Sequence, residues 1–278
     1  MSPLDRTWLL GTARAEREGL GRTIQYTPPD AWDQESPAEG WRNRDIVAHL
    51  AATEVAAAAV IAGETPSELE EYTKTLNGEP FSVDAFNDFS VRKRADEPFR
   101  VVVREWGQAA DLLLVRASKF SQEEWSERKV DWVAGRIGVP YLVQERVVEW
   151  WLHGEDILAG GGNPPRLEHA PIFCVNDFAI RLIPWALGLA GHTIRGKSVK
   201  IDLHSVGGGS WHYGLAPRET PSPDKDPDAV IRGRAFAFAL VAGRRASYEY
   251  YLAEGELQTA GDDALAELIL QNLRAFAE

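Results

Sequence analysis

A chain of 278 residues, 44% apolar and 26% charged, is long enough for one large globular domain or two ordinary ones. Its 30 basic and 42 acidic side chains leave a net charge of −12, which argues against a nucleic-acid partner, because that affinity comes from clustered Lys and Arg. A single cysteine, Cys174, excludes an internal disulfide and a thiolate-rich metal site.

Met1 opens onto Ser2-Pro3-Leu4-Asp5 with no basic-then-apolar leader. The stretches Ile46 to Ile61 and Phe236 to Ala242 are too short or too interrupted to cross a bilayer. A cytoplasmic protein with no membrane partner is therefore expected. Apolar residues recur at helical spacing in four N-terminal segments: about Pro3 to Tyr26, Arg44 to Ala62, Pro98 to Phe120 and Val139 to Leu158. Asn43 is the expected N-cap of the second, with Asp45 in its positive first turn, and Gly63 stops it. Four long helices joined by uneven loops predict a four-helix bundle over residues 1–162 with its functional groups turned inward.

Gly160-Gly161-Gly162-Asn163-Pro164-Pro165 reads as the start of a linker reaching Pro171. Residues 163–278 then predict a small α+β domain. Its expected order is a helix from Ile172 to Leu189, a strand at Ser198 to His204, a Gly-rich turn and a strand at Trp211 to Leu215. A polar loop from Pro217 to Pro227, a strand at Ala229 to Arg232, a helix from Arg234 to Arg244, a strand near Leu257 and a helix from Asp262 to Phe276 complete it.

Glu149 and His153 stand four apart in the fourth helix, so at ~100° per residue they project from one face on successive turns and can reach one ion. His49, flanked by apolar residues in the second helix, is the candidate third ligand. Two imidazoles and a carboxylate with an open fourth position suit catalytic zinc, and other first-row divalent metals as well. Spacing alone does not decide, since the same pattern arises from a surface ion pair beside a satisfied core histidine.

Trp41-Arg42-Asn43-Arg44-Asp45-Ile46-Val47-Ala48-His49-Leu50-Ala51 resembles the second-helix motif of the DinB-like metal-binding bundles, and most closely that of the mycothiol-dependent maleylpyruvate isomerase family. Val83 to Asn87 with Arg92-Lys93-Arg94 resembles that family's link into its third helix. Arg146 through Glu149 to His153-Gly154-Glu155-Asp156-Ile157 resembles its fourth-helix motif. Gly233, Gly243-Arg244-Arg245 and Gly261-Asp262 resemble its sterol-carrier-like C-terminal domain. The resemblance implies a bound divalent metal, zinc, at His49, Glu149 and His153, with mycothiol as thiol cosubstrate at the open position. Isomerisation of a small electrophile, or thiol transfer to one, is the implied chemistry.

Other residues carry two readings each. Glu145, a turn before Glu149, either orients a ligand or pairs in solvent with a neighbouring arginine. Asp156 supports an imidazole or the helix end. Asn87, matching the family's Phe-Asn pair, hydrogen-bonds a ligand or caps a loop. Arg244, with Arg245 beside it, either holds a substrate carboxylate or complements a helix C-terminus. Trp132, Trp150 and Trp151 are expected in the core rather than lining a pocket, and Cys174 is expected to be inert. His204 and His212 are expected to face each other across the Gly-rich hairpin in a structural role. Two further functions stay open: a non-catalytic binding protein whose metal is structural, and a metal-dependent hydrolase using activated water.

Overall fold

Asp5 caps the first helix, α1 (Arg6–Tyr26), by accepting the Trp8 amide at 2.9 Å, and Leu9, Leu10, Ala13, Leu20 and Ile24 form its buried face. The computed structural model describes residues 4–133, 135–217, 219–222 and 225–276. After a 3₁₀ turn at Pro29–Asp33 comes α2 (Asn43–Ile61), then α3 (Ser67–Thr75), α4 (Val83–Lys93) and α5 (Phe99–Ser118). A short α6 (Gln122–Glu127) and an antiparallel pair, β1 (Lys129–Trp132) with β2 (Gly135–Gly138), lead into α7 (Val139–Gly160). Helix α2 packs on α5 and α7, and α1 packs on the same two helices.

Asn43 is the first residue of α2 and not its cap. Its amide group is buried and donates to the Ala31 carbonyl at 2.9 Å, so the position before it, Arg42, takes the cap geometry. Asp45 accepts the Arg42 amide at 3.0 Å and the Arg42 guanidinium at 2.9 Å. Helices α3 and α4 lie where the sequence predicts a connection between long helices. Helices this short are marginal alone and need tertiary contacts. Those contacts come from α2, from Tyr72 of α3 against Phe86 and Phe89 of α4, and from Arg94, whose buried guanidinium pairs Glu68 of α3 at 2.9 Å and Glu105 of α5 at 2.9 Å. Ser82 caps α4 through the Ala85 amide at 3.3 Å.

Contacts divide the chain into two compact units, one ending at Arg166 and the other spanning Leu167–Phe276. The second begins with α8 (His169–Leu189) and continues through β3 (Ser198–His204), β4 (Gly209–Gly214), β5 (Ala229–Arg234), α9 (Ala235–Ala242), α10 (Tyr248–Ala253), β6 (Leu257–Gly261) and α11 (Asp263–Asn272). Its sheet runs β4-β3-β5-β6, with β3 and β5 parallel and the outer pairs antiparallel. Val199, Ile201, Leu203, Ala229 and Ile231 bury its apolar face, and α8, α9 and α11 pack against its strands.

Helix α8, rather than either stretch singled out above, is the one described helix long and apolar enough to cross a membrane; its most apolar stretch has a mean hydropathy of 1.5 and is 61% buried in the structure. The last helix stops at Asn272, because Leu273 is already extended. His204 and His212 do not face each other. Ser205 and Gly207, both left-handed, make the turn so tight that Leu203 pairs with Gly209, which sets His212 opposite Lys200. His204 contacts the Ser205 hydroxyl at 3.0 Å and His212 the Ser198 hydroxyl at 2.9 Å.

Candidate metal centre

Helices α2 and α7 are buried along most of their length, so polar residues on either must find partners inside. His49, Glu149 and His153 find one another. His49 Nε2 lies 3.2 Å from Glu149 Oε2, and His153 Nε2 lies 3.5 Å from the same oxygen. One ligand atom from each of the three residues lies within 4.8 Å of the other two. All three side chains are buried, each residue only 5–6% exposed.

Asp156 sits 2.9 Å from His153 Nδ1. A carboxylate on one ring nitrogen fixes the tautomer and leaves Nε2 to face the centre, as in metal-bound histidines. Burial lowers the His153 imidazolium, but hydrogen bonds to Asp156 and Glu149 outweigh it, and its pKa is pushed up to about 9. Burial holds His49 below the usual imidazole range against the pull of Glu149, and its Nδ1 has no hydrogen-bond partner among the described residues. Burial raises Glu149, yet His153, His49 and Arg146 together hold it well below the ordinary carboxylate range. An ionised carboxylate facing two imidazole nitrogens fits a three-ligand divalent centre with one position left for water or a sulfur donor.

One turn towards the start of α7, Arg146 is almost wholly buried. It pairs with Glu54 of α2 at 3.2 Å and with Glu145, and its guanidinium stacks over Trp132 at 5.1 Å. Trp150 Nε1 donates to Glu54 at 2.7 Å, and burial pushes the Glu54 carboxyl up to about 7. Glu145 thus pairs with an arginine, but inside the protein instead of in solvent. Glu54 and Arg146 link α2 to α7 below the ligands. Sequence reading missed their pairing, because the two residues stand 92 apart. Trp41, a half-buried residue just before α2, has its ring 4.9 Å from that of His49 and 6.4 Å from that of His153. Its indole N–H points to Asp88 of α4 at 3.4 Å.

Asn87 is buried on α4, next to Asp88. Trp150 and Trp151 are fully buried core residues, and Cys174 is buried in α8. Arg244 belongs to the second unit, exposed directly after α9, with a left-handed φ of 56°. Its amide donates to the Val241 carbonyl at 3.0 Å. Arg245 turns back onto the Gly243 carbonyl at 2.6 Å and lies over the Phe276 ring.

Fold and donor set define a helical unit with a buried His–Glu–His centre, followed along the chain by a mixed α+β unit. The chain belongs to the mycothiol maleylpyruvate isomerase family: residues 13–158 match the model of the mycothiol maleylpyruvate isomerase N-terminal domain. Uncharacterized proteins from two strains of Mycobacterium tuberculosis are each 23% identical over 270 residues, covering 95% of this chain and 93% of theirs. The fold is similar to that in the crystal structure of the mycothiol-dependent maleylpyruvate isomerase, with a TM-score of 0.60, 16% identity, and 94% of this chain and 93% of that chain covered. A histidine-to-alanine mutant of that enzyme matches with the same TM-score and coverage at 15% identity.

Proposed function

We propose that this chain is a cytoplasmic, metal-dependent enzyme that uses a low-molecular-weight thiol, mycothiol, to isomerise a small electrophile or to transfer the thiol to it. His49, Glu149 and His153 would hold the divalent metal, zinc in this reading. The observation that carries the proposal is the buried convergence of two imidazole nitrogens on one carboxylate oxygen, in a chain of this family. We take α1, α2, α5 and α7 as a DinB-like four-helix bundle and residues 163–278 as the sterol-carrier-like domain. Their pairwise packing and the β4-β3-β5-β6 sheet support that division.

A bound divalent cation would supply the acidity that ionises a thiol whose pKa in water is ~8.5. The protein's own part is to hold and orient. Asp156 keeps His153 Nε2 turned to the centre, and the low pKa of Glu149 keeps its carboxylate available at neutral pH. The ligands' burial excludes bulk water that would compete for the open position. The sulfur comes from solution, because the only cysteine is buried in the second unit.

Calorimetry of mycothiol against the zinc-loaded and metal-free chain tests this. Binding is expected only to the loaded form, strengthening as pH rises towards the thiol's own pKa. Equal binding to both forms, or none to either, would replace the proposal with the hydrolase or the non-catalytic binding protein.

Asn87 and Arg244 are the proposed substrate contacts. Arg244 is supported by the exposure of its side chain; its left-handed φ belongs to the end of α9, where the Arg244 and Arg245 amides donate to the Val241 and Leu240 carbonyls at 3.0 and 2.8 Å. Arg244→Ala is expected to raise KM for an anionic substrate about tenfold or more, as loss of a charge-assisted hydrogen bond of about 1.5–3 kcal/mol implies. Metal content should stay unchanged. Unaltered steady-state kinetics in the loaded variant would remove Arg244 from the site.

A further inference from the structure

The three ligands are nearly closed off from solvent, yet an ion and a sulfur donor must both reach them. Among the described residues, the one aromatic ring placed against both imidazoles is that of Trp41. It lies tilted 41° to the His49 ring at 4.9 Å and 34° to the His153 ring at 6.4 Å. The two imidazoles are themselves nearly perpendicular, at 71°, and the indole plane is tilted by a smaller angle to each.

The backbone of Trp41 cannot easily move. Its carbonyl accepts both the amide and the hydroxyl of Ser36, at 3.0 and 2.8 Å, and its own amide donates to Ala38 at 3.1 Å. The next residue, Arg42, forms a bridge with Glu35. The side chain is held far more lightly. Its indole N–H makes one exposed hydrogen bond, 3.4 Å long, to Asp88 Oδ1, while Arg92 stands 4.0 Å from the other Asp88 oxygen. A fixed backbone under a lightly held ring is the mechanical description of a side-chain gate.

We propose that Trp41 gates the metal centre, with Asp88 of α4 as its latch. Rotation of the indole about its own side-chain bonds uncovers the ligand imidazoles. Breaking the Trp41–Asp88 hydrogen bond permits that rotation. The inference rests on the metal reading above. It adds that exchange of metal and thiol is governed by a residue that binds neither.

The test is the rate at which the zinc-loaded full chain gives up zinc to an excess of a chromogenic chelator. Asp88 is exposed, so Asp88→Ala should fold normally. It is expected to speed release about two- to tenfold, the value of one hydrogen bond. Trp41→Phe keeps a ring over the imidazoles but lacks the N–H, and should speed release by a similar factor. The double variant should be no faster than either single one, since both remove the same bond. Trp41→Ala should be faster than all three. Equal release rates in the wild type and every variant, each fully loaded, overturn the gate alone. Multiplying effects in the double variant overturn the latch. A wild-type chain that takes up no zinc overturns the metal reading and the gate together.

Discussion

His153→Ala should leave the chain folded but strip it of stoichiometric metal. In this protein His153 offers a nitrogen held in place by Asp156 from behind, so its loss removes a ligand and also strands its support. The expected drop in affinity exceeds the ~10–100-fold that an outer partner alone is worth. His49→Ala should act in the same way, since His49 is the sole ligand on α2 and Glu149 and His153 would remain as a two-residue site on one helix. Asp156→Asn provides the internal scale, with a loss in the ~10–100-fold range. Metal analysis after exhaustive dialysis, with circular dichroism to verify the fold, separates the cases. Full occupancy in both histidine variants would remove the centre from this protein.

Arg166→Ala should produce the largest loss of stability among the variants discussed. The Arg166 side chain crosses a slot between α1 and α7, where it pairs with Glu16 at 2.7 Å and Glu155 at 3.2 Å. Both carboxylates are buried, and the Arg166 amide also donates to Glu155 at 3.2 Å. The slot exists because Gly19 and Gly154 have no side chain: a Cβ on either would sit 2.7 Å from a guanidinium nitrogen. Removing the cation leaves two buried carboxylates without it, and breaking such a pair costs about 3–5 kcal/mol. Denaturant unfolding of the full chain gives the number. A loss below about 1 kcal/mol would mean that the pairs behave as solvent-exposed ones.

The four long helices, and the placing of Glu149 and His153 on one face of the last, were legible because each is local. Periodicity fixes a helix within a few turns, and Glu149 with His153 needs only one. His49 could be proposed as their partner because α2 is too apolar to present it to water. Helices α3 and α4 were illegible for the opposite reason. They are held by packing on α2, by Tyr72 against Phe86 and Phe89, and by Arg94 reaching Glu68 and Glu105, 26 and 11 residues away, and no window of sequence contains those contacts as a pattern. Glu54, Arg146 and the Trp41–Asp88 pair likewise act across helices. Gly19 and Gly154 lie inside helices, and only the position of Arg166 shows them to be the walls of a slot. The displaced histidine pair in the hairpin shows how a turn of a few residues, and not the strands, sets which side chains meet.

An enzyme that hands soft electrophiles to a sulfur nucleophile risks becoming their target. If the proposed function holds, the burial of Cys174 answers that hazard: the chain's only thiol is fully covered in α8. Under the proposed function, the catalyst would be immune to the alkylation it promotes, and its working sulfur would arrive fresh with each cosubstrate molecule. The same seclusion turns Cys174 into a built-in reporter, since only opening of the second unit would expose it to an alkylating reagent.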